Sequence, residues 1–251
     1  MKSSREVAFE VLKKVLCEDA YSNLALDNAV KENNLSKLDS AFCTALVYGV
    51  LERLLTLDYI IRKRSSVPFR KIESATLIIL RMGIYQILYM DKVPDSAAVN
   101  ESVNLAKKKK LFKSSGFINA MLRSFIRDDN KLILPDENDR VKYLSVKYSC
   151  PEYLVSLWLD AYKEKVTISV LESLCGRPPL TLHINTLLTD EESLIGNLSE
   201  EGVEAEASYE CKNMLRVKNT GAVDSLESYA LGEFFVQDCS SAICAEPHCQ
   251  R

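Results

Sequence analysis

Nearly every residue between Ala75 and Met90 is apolar. A helix that is apolar on all of its sides cannot face water, so it has to be surrounded by other parts of the protein. The stretch is shorter than the roughly 20 residues that a helix needs to span a bilayer. The sequence therefore predicts a central helix, buried inside a bundle of other helices, and a chain without a membrane partner.

A single charged residue, Arg81, lies within this apolar stretch. Breaking a buried ion pair by removing one partner costs about 3–5 kcal/mol, so a buried arginine is expected to have a carboxylate beside it. Asp58 and Glu101 are the two candidate partners. Arg81 is accordingly interpreted as a structural residue.

Apolar residues recur at helical spacing throughout residues 3–130. Asp39 or Ser40 is predicted to cap a long third helix that continues past Leu57. A later helix is predicted to begin at Pro94–Ser96, with Asp95 or Ser96 as its cap, and the last to span residues 112–128. The first 130 residues are therefore expected to form an all-helical domain.

The sequence pattern changes beyond residue 130. A polar stretch at 129–136 is predicted to be a domain boundary, followed by helices at 138–148, at 151–163 and up to about Cys175. Alternating apolar residues then predict short strands, with one helix from Asp190 to Leu198 between them. The strands are predicted at 181–185, 203–207, 214–217 and 234–236. We thus predict a helical domain at 1–130, a helical linker at 131–176 and a small α/β domain at 177–251.

The two halves of the chain carry opposite charge. Residues 1–130 contain 21 Lys and Arg against 15 Asp and Glu, a net charge of +6, whereas residues 131–251 contain 11 against 20, a net charge of −9. A basic domain is a candidate for binding a polyanion such as RNA. The alternative is an ordinary solvated surface with charges of both signs.

The densest positive cluster is the run from Lys107 to Lys110, followed by Lys113. Lysines neutralise phosphates without reading bases, which makes binding dependent on salt. Lysines are also common at helix C-termini, where they interact favourably with the helix dipole. Both interpretations stay open, and Arg5 near the N-terminus is a further candidate for a phosphate contact.

No arrangement of residues in the sequence predicts catalysis. The eight cysteines include no Cys-x-x-Cys pair, and the spacing of Cys239, Cys244, His248 and Cys249 does not match the usual zinc sites. His183, the other histidine, has no nucleophile at a recognisable spacing. Without a secretory signal the protein is expected in the cytoplasm, with reduced cysteines and no metal.

Four stretches of the first half resemble the NusB-type RNA-binding domains. They are residues 39–51 (DSAFCTALVYGVL), 80–89 (LRMGIYQILY), 97–103 (AAVNESV) and 116–123 (GFINAMLR). The second half is similar to the RsmB family of ribosomal RNA cytosine-C5 methyltransferases at residues 177–185 (RPPLTLHIN) and 232–241 (GEFFVQDCSS). The family usually has arginine at the position of His183. The resemblance implies a mostly α fold, with a NusB-like bundle followed by a small α/β domain of the ferredoxin or RRM type.

The positive charge and the resemblance together predict a set of RNA-binding residues. These candidates are Arg5, Lys107, Lys108, Lys109, Lys110, Lys113, Arg123 and Arg177. The implied partner is RNA, in particular small-subunit rRNA, and the implied reaction of the family is methyl transfer to C5 of a cytidine.

In the RsmB family the segment Gln-Asp-x-Ser-Ser leads into a domain that binds S-adenosylmethionine. Its motifs are Ala-Ala-Pro-Gly-Gly-Lys, Asp-Ala-Pro-Cys and Thr-Cys-Ser, and none of them occurs in this sequence. The reaction needs a thiolate nucleophile, and Cys249 lacks the surrounding motif. We therefore expect that this chain alone binds no S-adenosylmethionine and transfers no methyl group, and that its tail from Pro247 is a truncated or frame-shifted end.

Two other functions remain open from the sequence. NusB-type bundles also dock ribosomal or transcription proteins, so a transcription antitermination or protein-interaction module is the alternative. The altered end of the chain also allows a non-functional remnant of a methyltransferase.

Overall fold

The computed structural model describes residues 2–128, 132–176, 179–209 and 211–245. The chain forms two compact units, Met1–Cys175 and Gly176–Arg251. The division into a domain at 1–130, a linker and a domain at 177–251 stays a prediction. Its proposed boundary at 129–136 falls partly on residues outside those described.

The first unit is helical. Its helices are α1 (Ser4–Cys17), α2 (Ser22–Glu32), α3 (Lys37–Glu52), α4 (Leu54–Arg64), α5 (Ser74–Tyr89), α6 (Asp95–Lys108), α7 (Phe112–Arg127), α8 (Arg140–Tyr148) and α9 (Glu152–Ser173). Helix α9 is interrupted at Lys163, where φ is 61° and ψ is 170°. That break separates the two helices that the sequence predicts on either side of residue 163.

Helix α5 is the central helix that the sequence predicts. It contacts α1, α3, α4, α6 and α7, and Ile78, Ile79, Leu80 and Ile84 are fully buried. Of the two candidate partners of Arg81, the structure pairs it with Asp58 on α4: Arg81 Nε donates to Asp58 Oδ1 at 2.7 Å, and Nη2 donates to Oδ2 at 3.0 Å. This bidentate pair compensates the positive charge of Arg81 inside the helical bundle.

The predicted long third helix is wrong, because the chain bends by 73° between α3 and α4. Thr56 on α4 donates its hydroxyl hydrogen to the carbonyl of Val146 at 2.6 Å, and the N–H of Leu55 donates to Ser149 Oγ at 3.0 Å. These bonds hold the start of α4 against the end of α8.

No single helix in the described ranges is long and apolar enough to cross a bilayer, and only the bent pair α3–α4 meets that test jointly.

Two predicted helix caps also differ in the structure. Helix α3 is capped by Ser36, whose Oγ accepts a hydrogen bond from the N–H of Asp39 at 3.1 Å. Helix α6 follows Pro94 at the N-cap position, which has no side chain able to accept a bond, so neither Asp95 nor Ser96 is the cap. Serine and aspartate both serve as N-caps, so their presence near the start of a helix does not by itself fix which residue is the cap.

Burial raises the pKa of Cys43 on α3 to about 11. The thiolate is the reactive form of cysteine, so we expect Cys43 to resist alkylation by iodoacetamide at pH 8 in the folded protein. Cys17 and Cys244 are exposed and are the matched comparison. Mass spectrometry of peptides after brief labelling measures the difference, and modification of Cys43 at the rate of Cys17 would contradict it.

The second unit is a small α/β fold. Its elements are β1 (Leu180–Ile184), α10 (Glu191–Glu200), β2 (Glu204–Ala207), β3 (Met214–Lys218), α11 (Glu227–Ala230), β4 (Phe234–Val236) and α12 (Cys239–Ala245). The four strands form a sheet in the order β2-β3-β1-β4, and every pairing is antiparallel. The predicted strands and the fold class, a helical bundle followed by a ferredoxin-like domain, are confirmed.

One face of this sheet is covered and carries the core. Leu182, Leu215 and Phe234 pack there with Leu194 and Leu198 of α10. Because successive side chains of a strand point to opposite faces, His183, Met214 and Phe235 lie on the other face, where His183 pairs across the strands with both neighbours. Gly202 ends the α10 segment with φ at +79°, a conformation that glycine adopts without strain.

Candidate nucleic-acid interface

The lysine run lies where helix α6 ends. Lys109 is the C-cap of α6, and Lys110 has a left-handed φ of 61°. The N–H of Leu111 donates to the carbonyl of Ala106 at 2.9 Å, which closes the helix end in the usual way for a left-handed cap. The helix therefore ends within the run: Lys107 and Lys108 belong to the last turn of α6, whereas Lys109 and Lys110 follow it.

Two of these lysines are tied to helix α1. Lys108 Nζ donates to Glu6 Oε2 at 3.0 Å, and Lys109 Nζ donates to Glu10 Oε1. Burial works against ionisation of Glu6, but the hydrogen bonds from Ser3 and Lys108 outweigh it, so the pKa of Glu6 lies below its ordinary value. Lys108 and Lys109 thus hold the end of α6 against the first half of α1.

The other lysines are exposed and face water. Among the described residues, Lys107, Lys110 and Lys113 have no carboxylate within ion-pair distance. We call these three residues the lysine turn, because they stand at the connection between α6 and α7. Three exposed ammonium groups with no carboxylate partner in the described part of the chain are suited to contact phosphates, because each ammonium acts as a compact point charge.

Arg5 is turned toward the interior of the bundle. Its Nε donates to Gln86 Oε1 at 2.7 Å, and its guanidinium lies 4.7 Å from the centre of the Phe42 ring. Burial lowers the pKa of Arg5, and the charge of Glu101 opposes that shift. These contacts give Arg5 a role in packing α1 against α3 and α5.

Arg123 lies at the other end of the α6–α7 pair. Ten residues of helix separate it from Lys113, a distance of about 15 Å along the axis. Arg123 and Arg127 line a groove of about 600 Å³ together with Ser96 and Asn100 at the start of α6. Sequence reasoning missed Arg127, although its spacing of four residues from Arg123 places both on one helix face.

Arg177 lies outside the described residues, as do His248 and Cys249. Among the residues described, no group of three or more His, Cys, Asp or Glu is arranged to hold a metal ion.

Two family comparisons match the two parts of the chain. The NusB family matches residues 2–127, half of the chain. The chain belongs to the NusB family. The Methyltr_RsmF/B-like ferredoxin-like domain matches residues 150–224, so the order of a NusB domain followed by the RsmB-type small domain is confirmed.

Curated relatives extend this similarity along the whole sequence. The chain is 36% identical to the probable ribosomal RNA small subunit methyltransferase B of Synechocystis sp., over 96% of this chain and 54% of the relative. It is 32% identical to the Bacillus subtilis protein of the same name, over 97% of this chain and 54% of the relative. This member of the NusB family therefore spans about half the length of the curated relatives that it matches.

A solved structure supports the fold. The crystal structure of PH0851 superimposes with a TM-score of 0.67 at 18% identity, and the match covers 98% of this chain and 55% of PH0851. At this identity the likeness establishes the shared fold, including the bundle and the small α/β unit.

The described residues do not fit S-adenosylmethionine. Nucleotide cofactors of doubly wound folds lie at the carboxyl ends of parallel strands, beside a glycine-rich turn. The sheet of this chain is antiparallel at all three pairings, so the described residues lack the parallel strand ends of such a site. No step of a methyl-transfer reaction is assigned to residues of this chain.

Proposed function

We propose that this chain is the RNA-binding portion of an RsmB-like 16S rRNA (cytosine-C5)-methyltransferase. The lysine turn carries the proposal, because it offers three exposed ammonium groups, unpaired with any described carboxylate, at one end of a NusB-family bundle. Lys108, Lys109 and Arg5 have a supporting role, since they fix the helices that present the turn. Arg123 and Arg177 add phosphate contacts outside it. In this proposal the methyl donor is bound by the family's catalytic domain.

Binding to fragments that tile small-subunit rRNA tests this proposal. Fluorescence anisotropy at physiological salt is expected to find one fragment bound at least about tenfold more tightly than a scrambled RNA of equal length, because specific sites exceed non-specific binding by orders of magnitude. Equal affinity for all fragments and for the scrambled RNA would contradict an rRNA substrate. A ribosomal RNA target also places the protein in the cytoplasm.

A protein partner is the second candidate function, and the groove beside Arg123 and Arg127 favours it. The groove combines two guanidinium groups and the carboxylate of Asp95 with the apolar side chains of Val99 and Ile126. This lining is positive on balance and partly apolar, which suits an acidic segment of a ribosomal or transcription protein. Affinity capture with and without ribonuclease separates the candidates. Capture of ribosomal components that ribonuclease abolishes supports RNA binding, whereas capture that survives ribonuclease and fails in Arg127→Ala supports protein docking.

A further inference from the structure

A pocket of about 390 Å³ lies on the face of the small sheet opposite its core. His183 on β1 and Phe235 on β4 form one wall, and Ile243 of α12 forms another. The volume is near the lower end of the range of about 300–1,000 Å³ that small-molecule sites occupy. The pocket therefore has room for one small planar ligand and its substituents.

The wall of the pocket is aromatic and its edges are polar. The rings of His183 and Phe235 lie 4.8 Å apart, and Phe235 is 46% exposed. His183 Nδ1 donates to Gln237 Oε1 at 2.7 Å, which fixes the orientation of the imidazole ring. Asn213 and Gln237 bring amide groups to the rim. Unpaired nucleobases are recognised by this combination of an aromatic face with hydrogen-bonding amides.

The charged residues of the second unit are mostly acidic, and the pocket has a lysine beside it that could contact one phosphate. The described part of this unit contains eleven carboxylates and three cations, which are Lys212, Arg216 and Lys218. Glu206 and Glu204 stand opposite Arg216 and Lys218 in the strand register. Lys212 lines the pocket, is exposed and has no carboxylate within ion-pair distance among the described residues. Among the described residues Lys212 is the one cation that lines the pocket, which favours contact with a single phosphate over an extended polyanion.

We propose that this pocket binds one unpaired nucleotide of an RNA strand. The base stacks on Phe235 and His183, the amides of Asn213 and Gln237 contact the edge of the base, and Lys212 contacts its phosphate. This site goes beyond the proposed function, because it lies in the other unit and uses none of the lysine turn.

A short single-stranded RNA that carries one 2-aminopurine tests the stacking directly, because stacking on an aromatic ring quenches the fluorescence of that base. The full chain is expected to quench it. Phe235→Leu keeps an apolar side chain but removes the aromatic face, so we expect the quenching to be lost and the affinity to fall at least about fivefold. Val236→Ala is the matched control, since Val236 is exposed on the same strand and points to the opposite face.

The salt dependence of binding separates this site from the bundle. Phe235→Leu is expected to leave the slope of affinity against salt unchanged, whereas Lys212→Gln should reduce it by about 0.7. Quenching and affinity equal to the wild type in Phe235→Leu would overturn the proposal, provided that circular dichroism shows both proteins folded alike.

Adenosine monophosphate alone tests the pocket independently of RNA binding by the bundle. Shifts of the His183 and Phe235 NMR signals on titration with the nucleotide support the site even if the lysine turn proves inert. Absence of these shifts together with absence of quenching would overturn the proposal. Nucleotide binding combined with an unchanged RNA affinity in Phe235→Leu would assign the pocket to a free nucleotide and contradict the RNA assignment.

Discussion

Replacing Asp58 with alanine is expected to lower the free energy of unfolding of the first unit by about 2–4 kcal/mol. The substitution leaves the Arg81 guanidinium without its bidentate partner, and the two side chains are only 12% and 14% exposed. Removing one member of a buried pair costs about 3–5 kcal/mol, and the residual exposure reduces that figure. Domains are stable by about 5–15 kcal/mol, so the loss is a large fraction of the total.

Urea unfolding followed by circular dichroism and by the fluorescence of Trp158, which lies in α9 of the same unit, measures this loss. The double variant Asp58→Leu with Arg81→Met is the control. Apolar replacement of both partners is often neutral, so it should recover most of the stability. An Asp58→Ala variant within about 0.5 kcal/mol of the wild type would show that the pair is not needed.

Replacing Gly83 with valine is expected to destabilise the first unit by about 2–3 kcal/mol, because it overpacks the core. A Cβ atom at Gly83 would lie 2.8 Å from Leu122 Cδ1 and 3.0 Å from Ser102 Oγ. Leu122 and Ser102 are buried, so neither can move aside without disturbing the contacts of α5 with α6 and α7.

Gly116→Ala is the matched control for this prediction. Gly116 also lies within a helix, but nothing is within 4 Å of the position that its Cβ would occupy. The alanine should therefore stabilise the unit by up to about 1 kcal/mol, through its better helix propensity. Equal stability changes in the two variants would contradict the close packing inferred at Gly83.

The main elements of the fold could be predicted from local patterns. The all-apolar stretch identified α5, and alternation identified the strands, since both signals depend only on neighbouring residues. The break between α3 and α4 could not be predicted in this way. It depends on bonds from Leu55 and Thr56 to residues 94 and 90 positions away, and no proline or glycine marks it.

For the candidate interface, the sequence could predict which residues carry positive charge but not which of them are free to contact RNA. The sequence shows where the lysine run and Arg5 lie and that they are positively charged, and Arg123 and Arg177 lie in the stretches that carry the resemblance. It does not show that Lys108 and Lys109 are paired with Glu6 and Glu10, which precede them by 102 and 99 residues. The structure therefore distinguishes the two paired lysines from the three exposed lysines of the lysine turn.

The most direct test of RNA binding by the lysine turn is the salt dependence of affinity for single-stranded RNA. The wild type is compared with the triple variant Lys107→Gln, Lys110→Gln and Lys113→Gln. The control removes three exposed lysines outside the turn, Lys13, Lys14 and Lys92. Each lost phosphate contact should reduce the slope of log K against log salt by about 0.7, so the triple variant should lose about 2. A slope equal to that of the wild type, or equal losses in the variant and the control, would contradict binding at this site.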